Sequence, residues 1–433
     1  MKKILSLLLC LVMVLAAFGG CAAGDPAEST AAESTAGEIL HSLKVGYGRA
    51  DITPQTSVPL GGRHGTVISD RVLDPLYATC IAFTDETDNT FLLFHLDLLQ
   101  SYGEANLAKL KIAKELGING EQIMMCSTHN HSGPNLNEIT DGNIELYCKE
   151  LPGQLMQAAK DAMEDRKPVT GAYITKTYPE GLNFCRHHIL ADGSYTGWAT
   201  PATKSAVDHL RDADNELQLI KFTRDGGKDV VLMNWQGHPN AASYDSTAIA
   251  SDVDAIRREI EPQLDCHFAY FLGASGNVNS QSYVKSELQS DWYIKDYITR
   301  TKKLVEYAVK AAENFEKVET DSVQFNSGKQ PIGYRTGTGT IDVPVTSFSI
   351  GDIALTFAPY EMFTECGQKI KADSPFKMTF VSTCSNGSMS YIPSAYSYEY
   401  SAYESDNTKY APGSAETLVD FHVSLLKQLH DAQ

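Results

Sequence analysis

The chain has 433 residues and a formal net charge of -18 at pH 7. Such acidity argues against a nucleic-acid partner and against an electrostatic hold on anionic lipid. The length allows two domains or one large one, and the lack of an internal repeat or a second linker favours one body.

The N-terminus reads as an export signal. Lys2 and Lys3 precede an almost continuous apolar run from Ile4 to Phe18, and Gly19-Gly20 leads into Cys21. This is the pattern of a bacterial secretory signal. Phe18-Gly19-Gly20-Cys21 looks like a lipobox, in which Cys21 becomes the acylated N-terminus; the plain alternative is an ordinary signal cut nearby. The run is shorter than the ~20 residues of a membrane-spanning helix, so the expectation is an extracytoplasmic protein anchored to a membrane through lipid on Cys21. Residues 22–42 are largely Ala, Glu, Ser, Thr and Gly and read as a flexible tether. Of nine cysteines, Cys10 and Cys21 fall in the leader. The other seven show no CxxC pair and read as buried small side chains, with one or two bridges open in an exported protein.

From residue 43 to 433 the pattern alternates strands and helices. Asn106–Leu116 has an amphipathic helical period ended by Gly117, and the apolar strand Gln122–Cys126 runs into Ser127-Thr128-His129. A long helix is expected over Ile144–Met163. Strands are expected at Gly171–Thr177, Leu217–Thr223 and Val230–Trp235. A helix over Asp254–Leu264 leads to the strand His267–Leu272, and another helix covers Asp291–Ala312. Val345–Ile350 and Ile353–Phe357 flank a hairpin signal at Gly351-Asp352. A helix is expected to begin near Glu361, followed by a strand at Met378–Ser382 and a closing helix over Ala415–His430. The class is therefore α/β.

Polar clusters fall where strands end, as functional residues of such folds do. In His129-Asn130-His131-Ser132-Gly133-Pro134 two imidazoles at i and i+2 would share one side of an extended segment, and neutral imidazole is a common zinc ligand. An HxH pair also fits an ordinary loop. His238 follows the apolar strand that ends at Trp235, and as a single histidine it fits a hydrogen-bonded structural role equally. Glu361 in a first helical turn would complement the macrodipole. Tyr391 opens a tyrosine-rich run to Tyr403 that aromatic packing would explain.

Taken in order, several segments resemble one family, the neutral or non-lysosomal ceramidases and their shorter bacterial relatives. Val45-Gly46-Tyr47-Gly48-Arg49-Ala50-Asp51-Ile52-Thr53-Pro54 is similar to the family's opening, and Asp74-Pro75-Leu76-Tyr77-Ala78 and a strand ending at Asp97 follow. Ser127 to Pro134 resembles its Thr-His-x-His-Ser-Gly-Pro signature. Asn234 to His238, Ser251-Asp252, Gly276-Asn277, Pro359-Tyr360-Glu361 and Asn386 to Ile392 complete the series. The resemblance implies mixed β-sheets flanked by helices in one large ceramidase-like catalytic domain. It implies a zinc ion, Zn2+, held by His129, His238, Glu361 and Tyr391. His131 would face the reacting carbonyl and stabilise or protonate the tetrahedral centre. The family also uses an arginine there, and Asn183-Phe184-Cys185-Arg186 is the local match, which makes Arg186 the candidate.

The chain departs from the family in several places. No C-terminal immunoglobulin-like domain is expected, the stretch between Glu361 and Tyr391 is shorter, and His187 to Ala206 is unlike the family's loops. Gly273-Ala274-Ser275-Gly276 gives no match for a serine nucleophile. The expected activity is zinc-dependent hydrolysis of an N-acyl amide, in ceramide or another N-acylated compound. The alternatives are a non-catalytic ligand-binding surface lipoprotein, or a zinc hydrolase of a non-lipid amide or ester.

Overall fold

Strands buried on both faces organise the first half of the chain: β1 (Lys44–Asp51), β2 (Tyr77–Thr84), β3 (Thr90–Leu96) and β4 (Ile123–Ser127), the last two buried at every position. With β5 (Lys167–Thr177), β6 (Leu217–Arg224), β7 (Asp229–Trp235) and β8 (Cys266–Leu272) they form one sheet in the order β8-β7-β6-β5-β1-β2-β3-β4. The short strand Glu316–Val318 adds to β5. Only the outermost pairs, β3/β4 and β7/β8, are parallel. A parallel pair needs a crossover, supplied by the helices α1 (Gly103–Leu116) and, later, α3 (Asp252–Leu264). Between them in sequence lies α2 (Gly142–Glu164).

These assignments come from a computed structural model that describes residues 43–433 except 64, 102, 139–141, 199–204, 241, 243–246, 281–296 and 321. The expected signal, Cys21 and the tether over 22–42 lie outside the described residues, as do residues 291–296 of the expected helix, which is described as α4 (Tyr297–Ala312). The described residues from 43 to 433 fall in one compact unit. Among the described residues no helix is long and apolar enough to cross a membrane. The seven described cysteines are buried and free.

A second sheet holds β9 (Val323–Gly333), β10 (Thr340–Ile350), β11 (Ile353–Phe357) and β12 (Met378–Ser382) in that order. The last pair is parallel and is bridged by α5 (Thr364–Asp373). Period-two alternation divides the core. Ile81 and Phe83 of β2 face the second sheet, while Cys80 and Ala82 face α1 and α2. Phe91 stacks on Phe348 at 4.3 Å and 18°, joining the two sheets; such a pair adds roughly 0.5–1.5 kcal/mol beyond burial. Gly48 lets α2 lie close, since a Cβ there would meet the Ala158 carbonyl oxygen at 2.1 Å. After a short helix α6 (Tyr403–Asn407), the closing helix α7 (Ser414–Asp431) covers the second sheet with Leu418 and Leu426. The result is helices, two sheets and helices in layers, the mixed α/β architecture expected.

One expectation fails locally. Glu361 does not start a helix: Glu361–Met362 pairs in parallel with Tyr391–Ile392, and α5 begins at Thr364. The Glu361 amide donates to the Ser390 carbonyl at 3.0 Å. This tertiary bond takes the donor that a helix would have left open at its first turn.

Residues 383–386 tie the two edges of the large sheet together. The Thr383 amide donates to Leu272 of β8, Cys384 accepts from Ser127 of β4, and the Asn386 amide donates to Met125. Asn234 of β7 adds a clamp, its Nδ2 donating to the carbonyls of Phe271 and Val381 at 2.8 and 3.0 Å. The C-terminal ends of β4, β7, β8, β11 and β12 thereby deliver their following loops to one place, as open α/β sheets do at a ligand site.

Candidate metal centre

The loop after β4 carries His129 and His131. It is not the extended segment expected, because His129 has a φ of 63°. A left-handed residue breaks the strand's alternation, so the two rings converge by a reversal of the chain, with centroids 4.9 Å apart. The strain of a non-glycine there is on the order of 1–3 kcal/mol. Asn130 holds the turn: its Nδ2 donates to Ala250 O at 2.9 Å and its Oδ1 accepts from the Ser132 amide. His238, on the loop after β7, completes the group at 4.7 and 4.8 Å from the other rings.

Each imidazole is pinned through Nδ1 to a backbone carbonyl: His129 to Leu99 at 3.0 Å, His131 to Gly62 at 3.0 Å and His238 to Ser275 at 3.2 Å. A carbonyl oxygen only accepts, so Nδ1 carries the proton and Nε2 presents its lone pair. This is the arrangement by which a protein orients imidazole for a metal. Gly62 makes the His131 contact possible: its φ is +70°, and a Cβ there would meet His131 Nδ1 at 2.3 Å. The ligand atoms of the three residues lie within 4.8 Å of one another, and His131 Nε2 stands 2.9 Å from His238 Nε2. Two lone pairs facing each other at that distance call for a proton or a cation between them.

Glu361 reaches the same centre, with Oε2 3.3 Å from His129 Nε2. That oxygen is buried and has no hydrogen-bond partner, a costly state that a cation would relieve. Tyr391 is held beside it by the two-residue strand pair. Three imidazoles with a carboxylate beside them form a donor set that suits a metal ion such as zinc.

Arg186, after the short strand Phe184–Cys185, lies against Tyr391 with its guanidinium 5.6 Å from the ring centroid. Its Nη2 donates to Gly276 O at 2.7 Å, and its Nε donates to Glu404. The structure groups His129, His131 and His238, with Glu361 against His129, and sets Tyr391 beside Glu361 and Arg186 against Tyr391. The sequence reading missed the carbonyl anchors at Gly62, Leu99 and Ser275, the Cys384 thiol 3.6 Å from His129 Nδ1, and Glu404. Backbone carbonyls leave no mark in residue identity, and Glu404 lies just past a tyrosine-rich run that aromatic packing would explain.

The electrostatics follow from burial and proximity. Burial would push His129 down, but Glu361 and Cys384 outweigh it and raise it well above the ordinary histidine value. Burial and the neighbouring His129 push His131 well below that value, and burial with His129 and His131 does the same to His238. The Tyr391 hydroxyl is pushed well up by burial and by Glu361, with Arg186 opposing.

No family model matches the sequence, and no curated protein matches it. Among solved structures, the neutral ceramidase from Pseudomonas aeruginosa aligns with a TM-score of 0.74 at 14% identity, covering 90% of this chain and 75% of that one. A ceramidase complexed with C2 aligns with a TM-score of 0.71 at 13% identity, covering 90% of this chain and 76% of that one. At such identities the likeness speaks to architecture, and on that ground this chain has the fold of the neutral ceramidases.

Proposed function

We propose that the protein is a zinc-dependent hydrolase that cleaves an N-acyl amide bond, in ceramide or another N-acylated compound, outside the cytoplasm and tethered through lipid on Cys21. The observation that carries the reading is the convergence of carbonyl-anchored Nε2 atoms beside the unpartnered Glu361 Oε2. The ceramidase fold of both structural neighbours supports an N-acyl substrate.

His129 and His238 through Nε2, Glu361 through Oε2 and Tyr391 through its hydroxyl would hold the ion. Zinc would supply Lewis acidity toward the amide carbonyl and acidify a water. His131 stays outside this set. Its Nδ1–H bond to Gly62 fixes the ring and the tautomer, so that Nε2 carries the lone pair that takes a proton and returns it to the departing amine. Arg186 places positive charge beside the Tyr391 hydroxyl and the developing oxyanion.

One observation favours a variant reading in which His131 is itself a ligand, namely its 2.9 Å approach to His238. A His131→Ala variant separates the two. Retained zinc with a steep loss of hydrolysis supports the catalytic role, whereas loss of zinc makes His131 a ligand. The reading as a whole is tested by metal analysis, expected at about one zinc per chain, and by a screen of N-acyl substrates with released fatty acid as the readout. A zinc-loaded protein that turns over no amide or ester would be a ligand-binding lipoprotein instead. Incorporation of labelled palmitate, abolished by Cys21→Ala, tests the anchor.

A further inference from the structure

The chain beyond Tyr391 folds back beneath the site. Helix α6 is pinned to the preceding turn by Ser405, whose Oγ donates to the carbonyls of Ser397 and Ala402 at 2.8 and 3.0 Å. This sets Glu404, fully buried, under Arg186. One carboxylate oxygen takes the Arg186 Nε–H and the other takes His187 Nε2–H at 2.9 Å. His187 is oriented in turn by the Tyr396 hydroxyl, 2.9 Å from its Nδ1, and Asn277 Nδ2 lies 3.3 Å from that hydroxyl. Burial alone would push the Glu404 carboxyl up, yet Arg186 and then His187 hold it down to about 2, so it stays charged at neutral pH.

Arg186 is therefore clamped on two sides. Glu404 holds Nε and the Gly276 carbonyl holds Nη2, while the guanidinium lies 5.6 Å from the ring centroids of both Tyr391 and Tyr403 and the side chain hydrogen-bonds Tyr391. A guanidinium is a planar fork whose direction is set once two of its edges are held.

We propose that Glu404, itself fixed by His187, is a positioning residue that aims Arg186 at Tyr391 and the reacting centre; this rests on the hydrolase reading above. Glu404 touches no reacting atom and acts through Arg186. It also neutralises part of the charge that Arg186 brings to the site.

In Glu404→Gln the side chain keeps its shape and loses its charge. The expected kcat falls about 100-fold, the loss typical of an approximately 1 Å misplacement, with KM within about twofold and zinc content unchanged. In an Arg186→Ala background the same substitution changes kcat by less than about threefold. An equal loss in both backgrounds would show that Glu404 acts without Arg186 and would overturn the proposal.

A second readout needs no turnover. In protein carrying 15N-arginine, the Nε–H signal of Arg186, assigned by its loss in Arg186→Lys, is expected to be sharp and slowly exchanging, and to broaden in Glu404→Gln. An unchanged signal overturns the proposal. Should the wild type hydrolyse no amide, the hydrolase reading fails, while this spectrum still decides whether Glu404 holds Arg186. If Glu404→Gln does not fold, Glu404→Asp, which withdraws the charge by one methylene, is read the same way with a loss of about 10-fold expected.

Discussion

Replacing Gly62 by alanine moves His131 without altering its chemistry. The new Cβ would stand 2.3 Å from His131 Nδ1, so the ring must shift by about 1 Å to regain an ordinary van der Waals separation. The Nδ1–H bond to the Gly62 carbonyl then no longer holds the ring where Nε2 meets the site. Alanine at a φ of +70° also costs roughly 1–2 kcal/mol, which for a domain of this size lowers Tm by about 1–3 °C. Gly65→Ala supplies the control. Its φ is +74° with nothing within 4 Å of a Cβ, so it carries the backbone strain alone. The expected result is a fall in Tm for both variants, the larger in Gly62→Ala, with kcat/KM for N-acyl hydrolysis reduced about 100-fold only in Gly62→Ala. Zinc content measured alongside reports on the ligand question, and it stays near one per chain if His131 is the proton carrier. Hydrolysis within about threefold of wild type by zinc-loaded Gly62→Ala would refute the placement of His131 in the chemistry.

Three further outcomes follow from the same geometry. Glu361→Gln removes the carboxylate that faces His129 at 3.3 Å, and zinc affinity by competition with a chelator should fall by more than the ~10–100-fold seen for outer-sphere partners. Asn234→Ala strands the carbonyls of Phe271 and Val381. At roughly 1–3 kcal/mol per unsatisfied group the loss is about 2–6 kcal/mol in urea unfolding, and a change under 1 kcal/mol would mean that the clamp is not made. Glu404 bears on stability through pH. Its carboxyl is held at about 2 against an ordinary 4.5, so its contribution of about 3 kcal/mol is present above pH ~4.5 and is lost as pH falls through ~2. Glu404→Gln should therefore narrow its stability gap to wild type across that window in acid titrations, and a constant gap would contradict the depressed value.

How much was legible in the sequence varies by element, for physical reasons. Helix α2 and strands β7, β8 and β12 follow from local period and apolar runs, because burial on one or both faces constrains every side chain along them. His129, His131 and His238 stood out as residue types at strand ends, and the resemblance to a known family added Glu361 and Tyr391. Their convergence was not legible, since His129 and Glu361 both sit where local rules mislead. His129 adopts a left-handed backbone that Asn130 and Ala250 stabilise from elsewhere in the chain. Glu361 gives up a helical start for a strand pair with Tyr391.

The sequence by itself determined the α/β class and the order of the elements, because these depend on side-chain chemistry and periodicity along the chain, while the six candidate site residues were picked out by the resemblance of ordered motifs to one family. Only the tertiary structure decided that segments far apart in the chain meet at one rim, that three imidazoles share a tautomer through carbonyls at 62, 99 and 275, and that Glu404 lies beneath Arg186. Those relations are made by backbone groups and by pairings between remote strands, neither of which is written in the identity of a neighbouring residue.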